Sequence, residues 1–465
     1  MFSAPALLIV AGLAILALAC SLFPVAPTSR AALAFLVGAV ICFFVPVFFG
    51  LIIAAGTTAL IILDALLGAR HISARRIMPA QLARGVGAPF QITTNSSVSE
   101  HSSESTASVT TKVRQPSCAD IEMSQKEARN NLRATITAHR RGLHTIPPFA
   151  TRTTGPLGLA VWHRPTKDTH EIKVFPDLPA AYRLAHSIQQ GRFATAGLKR
   201  RGPLGLGTNF ESVREYFPDD DIRTVNWSAT ARTGRPMTNQ YRVEQDRDVV
   251  VLVDTGRLMT APLPLTDTEN ELLDLAEDVP TTHVVTRLDI ALDALCGLVS
   301  VADVMGDRSG VVAFNSSVRK HLRPRRAGAR AVIRTVFDLE PIPVDSDFEA
   351  ACQRVGKSKR SFLLILTDFM DRQSAEPLVR ALRTVVKKHR VVVAGILDPD
   401  ISHIMNSTDS SDPLLEAGAR EMIRSAQEAV DRISKAGAEV IYCDHKDLML
   451  ECVKSYLGAK QRAAF

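Results

Sequence analysis

The chain has 465 residues and a formal net charge of +7, from 55 lysines and arginines against 48 acidic residues. Aromatic residues make up 6% of the chain, and this mixed charge with few aromatics does not favour nucleic-acid binding, which uses a dense basic face with interleaved rings. The seven cysteines are scattered without a Cys-x-x-Cys pair, which argues against a disulfide framework or a zinc site and favours a reducing compartment.

Apolar residues dominate the first part of the chain. The uncharged stretch from Ala6 to Phe23 is close to the length that crosses about 30 Å of hydrocarbon as a helix. A second tract, Ala31 to Leu63, would be about 50 Å long as one helix, so it is predicted as a tilted helix, a kinked helix or two segments meeting near Pro46. We favour a two-helix transmembrane hairpin over residues 1–70, with three spans as the alternative. A cleavable signal peptide is disfavoured because no basic region precedes the first stretch.

Basic residues flank the apolar tracts unequally. Arg70, Arg75, Arg76 and Arg84 follow the second tract, whereas the predicted turn carries only Arg30. Because basic residues accumulate on the cytoplasmic side of a membrane, we expect a multi-pass protein of the cell membrane with the rest of the chain facing the cytoplasm. The lipid bilayer is then its first expected partner.

Residues 71–179 contain short runs rich in Thr, Ser and Val, such as FQITT and HEIKVF. Their period-two alternation and the intervening turn residues predict a small antiparallel β-sandwich. The high Ser/Thr density between Thr93 and Thr111 leaves a disordered linker as the alternative for that stretch.

Residues 180–247 are predicted as a connecting region. A helix begins near Leu178, and the glycine-rich sequence LKRRGPLGLGTN follows it. Gly202, Gly205 and Gly207 match neither the dinucleotide-binding nor the P-loop pattern, so a flexible connection is expected there.

From Asp248 to the end, residues 248–465, apolar strands alternate with helices. The runs DVVVLVD, SGVVAFN, SFLLILTD, RVVVAGIL and AEVIYCD are apolar throughout, which predicts a doubly wound, mostly parallel sheet covered by helices on both faces. Ligands of such folds bind at the carboxyl ends of the strands. Those ends carry Asp254, Asp368, Asp398 and Asp444.

Two of these acids, Asp254 and Asp368, could meet at a topological switch point. Carboxylates and hydroxyls there would suit a hard divalent ion. On residue types alone the favoured interpretation is simpler: each aspartate caps the helix that follows its strand.

The stretch 210–248 is dense in charge. It contains the acids Asp219 to Asp221 and several arginines around Trp227. The pattern predicts a structured loop tied by arginine–carboxylate bonds, with Trp227 as a packed anchor. A catalytic role for the three acids is the alternative, but no His or Lys is placed to complete a mechanism and no nucleophile motif occurs in the chain.

The sequence REYFPDDDIRTVNWSATARTGRPMTNQYRVEQDRDVVVLVDTGRLM resembles the signature of a bacterial and archaeal group, domain of unknown function family 58. In that family a motif R-E-Y-x-P-G-D-D-x-R-x-I-D-W-x-A-T-A-R precedes a strand and D-T-x-R-x-M. The residues of this chain that match the signature are Arg214, Tyr216, Pro218, Asp220, Asp221, Arg223, Trp227, Ala229 and Arg232. Asp219 and Asn226 depart from it.

The resemblance implies membrane helices, an Ig-like β-sandwich and a final α/β domain that is von Willebrand factor A-like, doubly wound and Rossmann-like. The metal-ion-dependent adhesion site of that fold carries over as Asp254, Ser346 and Asp368. Gly256 and Leu258 stand where the family fold has serines, so the metal site is expected to be degenerate. No cofactor is then required, and weak Mg²⁺ binding stays open as the alternative because a hard ion can keep waters in place of lost ligands.

The resemblance also implies a function. Similar proteins are encoded beside MoxR-type AAA+ ATPases, so we expect a non-enzymatic, membrane-anchored adaptor that works with such an ATPase in protein assembly or envelope maintenance. One alternative is a membrane-associated hydrolase that uses the acids Asp219 to Asp221. The other is a ligand- or polymer-binding module that reads its target with the β-sandwich. The oligomeric state is not specified by the sequence.

Overall fold

The computed structural model describes residues 25–44, 47–69, 72–96, 109–112, 116, 118–123, 131–190, 204–217, 220, 222–242, 247–263, 285–356, 359–369, 371–399, 401, 404 and 413–462. The chain divides into two compact units. The first comprises residues 1–139 and 143–173, and the second comprises residues 140–142 and 174–465.

The first unit contains two apolar helices, α1 (Ser29–Phe44) and α2 (Val47–Gly68). None of the described helices is both long enough and apolar enough to cross a bilayer. The predicted transmembrane helices, and with them the multi-pass membrane location, are therefore wrong for the described residues, and the first predicted span, Ala6 to Phe23, lies wholly outside them. The α1 helix has 16 residues, about 24 Å against the roughly 30 Å of a hydrocarbon core.

The last turns of α2 are used for contacts within the first unit. Asp64 is completely buried and accepts hydrogen bonds from the backbone N–H groups of Leu157, Leu159 and Ala160, at 2.7, 2.8 and 2.9 Å. Trp162 donates its indole N–H to the carbonyl oxygen of Ala65 at 2.8 Å. Asp64, the charged residue that follows the apolar tract in the sequence, thus accepts hydrogen bonds from a folded loop.

We expect Asp64→Ala to lower the free energy of unfolding by about 3 kcal/mol or more, because three backbone N–H groups lose their acceptor and each unsatisfied buried donor costs roughly 1–3 kcal/mol. Urea denaturation of the purified protein measures the change. Leu66→Ala is the matched control on the same helix, since Leu66 is 66% exposed. Equal effects of the two substitutions would contradict a structural role for the Asp64 hydrogen bonds.

Short strands form small sheets in the rest of the first unit. Its strands are β1 (Val25–Pro27), β2 (Ile72–Ile77), β3 (Gln81–Ala83), β4 (Gly87–Ser96), β5 (Val109–Lys112), β6 (Ala119–Met123), β7 (Asn131–Ala138), β8 (Gly142–Ile146), β9 (Ala150–Thr154), β10 (Ala160–Pro165) and β11 (His170–Phe175). They are ordered β1-β10-β9-β5, β2-β4-β7-β6 and β3-β11-β8. The first two sheets are antiparallel. Strands thus occupy both ends of the Ser/Thr-rich stretch, while residues 97–108 lie outside the described residues.

The second unit begins with the predicted helix, α3 (Leu178–Gln189), which is capped by Asp177. A long hairpin then carries the signature: β12 (Leu204–Glu215) pairs antiparallel with β13 (Met237–Arg242). Between these strands lie a 3₁₀ turn (Ile222–Thr224) and the short helix α4 (Trp227–Thr233). The expected flexible connection is therefore wrong from Leu204 onward, because Gly205 and Gly207 are part of β12.

A six-stranded sheet forms the centre of the second unit. Its strands are β14 (Asp248–Asp254), β17 (Arg308–Phe314), β18 (Val318–Arg325), β19 (Ser361–Leu366), β20 (Arg390–Ile396) and β21 (Glu439–Cys443), in the order β18-β17-β14-β19-β20-β21. All neighbouring strands are parallel except β17 and β18. A separate two-stranded ladder joins β15 (Pro262–Leu263) to β16 (Val285–Thr286).

Helices cover both faces of this sheet. They are α5 (Arg287–Val304), α6 (Ala329–Val336), α7 (Phe348–Gly356), α8 (Arg372–Val385), α9 (Pro413–Lys435) and α10 (Leu448–Gln461). One hydrophobic core combines α3, α5, α6 and α10 with one face of the sheet, and the other combines α7, α8 and α9 with the opposite face. Because β14 alternates between the two cores, every one of its residues is buried, as its continuous apolar sequence requires.

The five apolar runs predicted as strands are confirmed. The edge strand β18 was not predicted, since VRKHLRPR is strongly basic and contains Pro324, and its side chains alternate between half-buried and exposed. The chain runs from β14 to β17 on one side and returns to β19 on the other. The switch point therefore lies at the carboxyl ends of β14 and β19, where ligands of such sheets bind.

Candidate functional site: a carboxyl edge with an internal cation

The carboxyl edge, defined as the ends of β14 and β19 with the loops that follow them, is built around Asp254. This side chain is 2% exposed. Its Oδ1 accepts hydrogen bonds from the Ser346 hydroxyl at 2.5 Å and the Gly256 N–H at 2.8 Å, and its Oδ2 accepts one from the Thr367 hydroxyl at 2.7 Å. Burial raises the pKa of the Asp254 carboxyl, and these hydrogen bonds oppose the rise.

Backbone pairing brings Ser346 to Asp254 across 92 residues of sequence. The Arg257 N–H donates to the carbonyl oxygen of Val344 at 2.9 Å, and the Ile342 N–H donates to that of Thr255 at 2.9 Å. The loop before α7 is thereby fixed against the loop after β14. The predicted neighbourhood of Asp254 and Ser346 is present in the structure.

Asp368 has a different partner. Its Oδ1 accepts the Phe369 N–H at 2.9 Å, and its Oδ2 accepts a short hydrogen bond from the Arg287 guanidinium. The second guanidinium nitrogen of Arg287 bonds Asp398 at 2.8 Å. Arg287 is 3% exposed, so a buried internal cation bridges the acids that end β19 and β20.

Arg287 is placed by the start of α5. Thr286 caps this helix in a reciprocal capping box with Asp289, which fixes the first helical residue beside the carboxyl edge. Neither Arg287 nor Thr367 was identified from the sequence. The signals for them were local: an arginine at the start of an apolar helix, and a threonine directly before a strand-end aspartate.

The capping interpretation of the strand-end acids is wrong for Asp254 and Asp368. The 3₁₀ helix after β14 (Arg257–Thr260) has no side-chain cap, and α8 is capped by Asp371 rather than Asp368. Both strand-end carboxylates are instead engaged by groups from distant parts of the chain.

Gly256 and Leu258 occupy the two positions at which the fold that this chain resembles carries serines. A Cβ atom at Gly256 would lie 2.0 Å from the Ser346 hydroxyl oxygen and 2.8 Å from the Val344 carbonyl oxygen, so glycine makes room for the Ser346–Asp254 contact. Leu258 is half-buried beside it.

These donors and acceptors do not fit a divalent cation. Both carboxylate oxygens of Asp254 accept hydrogen bonds from neutral donors, and Asp368 already faces a permanent positive charge. A hard ion needs several oxygens that are free to coordinate it. No cluster of three or more potential metal-ligating side chains occurs among the described residues.

A cleft of about 390 Å³ opens beside Asp254. Its wall contains Leu258, Phe348 and Ser346, together with the ion pair between Arg257 and Asp345, whose atoms are 3.2 Å apart. Both members of that pair are largely exposed. The cleft therefore presents exposed opposite charges over a partly apolar wall, next to the buried acids.

The signature loop is held by an arginine–carboxylate pair, as predicted. Arg214 donates two hydrogen bonds to Asp220, at 2.6 and 2.8 Å, and the Phe217 N–H donates a third at 2.9 Å. Hydrogen bonding to Arg214 lowers the pKa of the Asp220 carboxyl. An ionised, fully engaged carboxylate is poorly suited to general acid–base work.

The predicted packing of Trp227 is wrong. Trp227 is 71% exposed. It is the first residue of α4, whose N-cap Asn226 accepts the Ala229 N–H at 2.9 Å. Arg232 lies in the last turn of α4 and is exposed. Pro218, Asp219 and Asp221 lie outside the described residues, as does the side chain of Arg223.

Comparison with known proteins finds a family match within the second unit of the chain. Residues 212–261 and 274–429 match the model of the family described as Protein of unknown function DUF58. Uncharacterized proteins of Mycobacterium bovis and Mycobacterium tuberculosis are each 25% identical to this chain over 204 residues, which is 42% of this chain and 56% of the relative. The chain thus spans only about half the length of the curated relatives it matches.

A solved structure is also similar, although only remotely. It is described as the crystal structure of an uncharacterized membrane spanning protein from Vibrio fischeri, with 12% identity and a TM-score of 0.15, over 46% of this chain and 98% of the other. A similarity this low carries no argument about either fold or function.

Proposed function

We propose that the protein is a non-enzymatic adaptor that binds a partner protein through the apolar tip, defined as Phe217, Ile222 and Trp227 in the turn between β12 and β13. The observation that supports this proposal most is the exposure of these three large side chains, 59%, 70% and 71% respectively. Exposed clusters of large apolar residues mark protein interaction sites, and tryptophan is enriched among residues that dominate binding energy.

The tip is held in place before binding. The bidentate Arg214–Asp220 pair fixes the start of the loop, and the Arg214 guanidinium stacks over the Phe217 ring at 5.2 Å. At the other end, the Met237 N–H donates to the Thr230 hydroxyl at 2.9 Å and ties α4 to β13. A preorganised loop loses less conformational entropy on binding, which favours an interaction role over that of a mobile connector.

In this proposal the second unit is von Willebrand factor A-like but binds without a metal. The location of Asp254 and Asp368 at the switch point supports the likeness. The buried Arg287 supports metal independence, because it supplies the positive charge beside Asp368 that a bound cation would otherwise provide.

The proposed partner is a MoxR-type AAA+ ATPase, as the family resemblance implies. We expect Trp227→Ala to weaken binding to the ATPase of the same organism at least about tenfold, a typical effect of removing an interface tryptophan. Biolayer interferometry with both purified proteins measures the affinity. Leu414→Ala is the matched control, since Leu414 is 80% exposed in the same unit but outside the tip.

Tryptophan fluorescence gives an independent reading. The chain has two tryptophans, and the exposed Trp227 should shift its emission to shorter wavelength when the partner covers it, whereas Trp227→Phe should remove the shift. Undiminished binding by Trp227→Ala would rule out the tip as the binding surface. Failure of the unmodified protein to bind would rule out the ATPase as the partner.

A further inference from the structure

A second surface lies on the same unit, away from the carboxyl edge. A groove of about 1230 Å³ runs between the edge strand β18 and helix α7 and reaches the first residues of β14 and β17. These strands begin at the opposite end of the sheet from Asp254. The groove, which we call the basic groove, is therefore separate from the site described above.

The described lining of the basic groove is rich in positive charge. Arg323 comes from β18, Arg354 from α7, Arg308 from β17, and Lys359 from the segment before β19. The described lining contains one carboxylate, Asp248, which accepts a hydrogen bond from Arg308 at 2.7 Å. Cations therefore outnumber carboxylates in the described lining, and Arg323 and Arg354 are exposed members of it.

The geometry of β18 explains this concentration. Side chains alternate along a strand, and in β18 the alternate positions Arg319, His321, Arg323 and Arg325 are exposed. His321 and Arg323 line the groove. Burial lowers the pKa of the His321 imidazole, and the charges of Arg354 and Arg323 lower it further.

The groove also has an apolar component. Val318 and Leu322 of β18 and Val355 of α7 contribute to its wall. Among the described lining residues there is no phenylalanine, tyrosine or tryptophan on which a nucleobase could stack. A ligand that fits both features carries negative charges along its length and alkyl side chains between them.

We propose that the basic groove binds an acidic peptide segment of a partner protein, with carboxylates paired to Arg323 and Arg354 and alkyl side chains against the apolar wall. A volume above the roughly 300–1,000 Å³ of common small-molecule pockets favours an extended peptide. The mixture of apolar wall and positive charge favours it over RNA or a simple phosphate anion.

The test uses a fluorescein-labelled peptide of glutamate and leucine and measures its affinity by fluorescence anisotropy. The double variant Arg323→Glu/Arg354→Glu should bind at least about tenfold more weakly, because like charges replace attraction across the groove. The matched control is Arg330→Glu/Arg334→Glu on α6, which reverses two exposed arginines outside the groove. Arg323→Gln/Arg354→Gln provides a milder variant if the charge reversal unfolds the protein, as judged by circular dichroism.

The ligand's chemistry is tested with altered probes. Replacing leucine by serine in the peptide should weaken binding, and tripolyphosphate or a single-stranded RNA should compete poorly. Equal affinity of the serine peptide, or tighter binding of tripolyphosphate or RNA, would overturn the peptide assignment. Equal losses in the groove and control variants would overturn the location of the site. Because the apolar tip is unchanged in these variants, their outcome is independent of the proposed adaptor function.

Discussion

Replacing Arg287 by methionine is expected to lower the free energy of unfolding by about 3–5 kcal/mol, the usual cost of removing one partner of a buried ion pair. Arg287 is 3% exposed and bonds both Asp368 and Asp398. Without it, the buried Asp368 carboxylate keeps its charge with only the Phe369 N–H as a described partner, or it must take up a proton. Urea denaturation followed by circular dichroism measures the loss.

The matched control is Arg257→Met at the same edge of the sheet. Arg257 pairs with Asp345, but their side chains are 66% and 88% exposed. An exposed pair contributes less than about 1 kcal/mol, so this substitution should change stability little. Similar effects of the two substitutions would contradict the role assigned to the buried cation.

The effect of Mg²⁺ on stability tests whether Arg287 takes the place of a bound cation beside Asp368 or is only a structural ion-pair partner. The stability of the unmodified protein should be the same in Mg²⁺ and in EDTA, because Arg287 already neutralises Asp368. In Arg287→Met the Asp368 carboxylate loses the charge that neutralised it and can attract the ion, so Mg²⁺ should raise the stability of this variant alone. An increase in the stability of the unmodified protein with Mg²⁺ would favour the degenerate metal site over the internal cation.

Gly256→Ala is expected to destabilise the second unit by about 3 kcal/mol, at the upper end of the usual cost of overpacking. The added Cβ atom would lie 2.0 Å from the Ser346 oxygen and 2.8 Å from a backbone carbonyl oxygen. Gly418→Ala on α9 is the control, because a Cβ there meets nothing within 4 Å and alanine improves helix propensity by up to about 1 kcal/mol.

A double substitution identifies the contact responsible. Ser346→Gly removes the hydroxyl that would meet the new methyl group, so Gly256→Ala/Ser346→Gly should be less destabilised than the sum of the two single variants. Additive effects in urea denaturation would show that the clash with Ser346 is not the cause. The experiment also measures how strongly Asp254 depends on its Ser346 donor.

The carboxyl edge and the apolar tip have complementary roles in the proposed adaptor. Buried charges at the edge are satisfied internally, which gives a fixed scaffold without a bound ion. The tip exposes apolar side chains on a loop that a surface ion pair holds in place. In this proposal a partner binds at the tip without any change at the buried acids. Substitutions at the carboxyl edge should therefore lower stability, whereas substitutions at the tip should lower the affinity for the partner.

Membrane helices were predicted from the length and apolarity of sequence tracts, but no described helix is both long enough and apolar enough to cross a bilayer. The second apolar tract divides into α1 and α2, and the last turns of α2 contain Asp64, whose carboxylate accepts hydrogen bonds from three backbone N–H groups of a folded loop. A sequence window counts such an aspartate as the end of an apolar segment. It does not contain the loop that binds the carboxylate, because that loop lies more than ninety residues further along the chain.

The sequence by itself determined the five apolar strands of the central sheet and the presence of an arginine–carboxylate bond in the signature loop. A strand buried on both faces must be apolar at every position, and partners six residues apart can be recognised locally. Only the tertiary structure decided that Trp227 is exposed, that β18 forms the basic edge strand, and that Arg287 faces Asp368 from 81 residues away. The physical reason is that local pattern identifies strands buried on both faces, whereas the exposure of a single loop side chain and the neutralisation of a buried charge depend on which distant groups the fold brings to them.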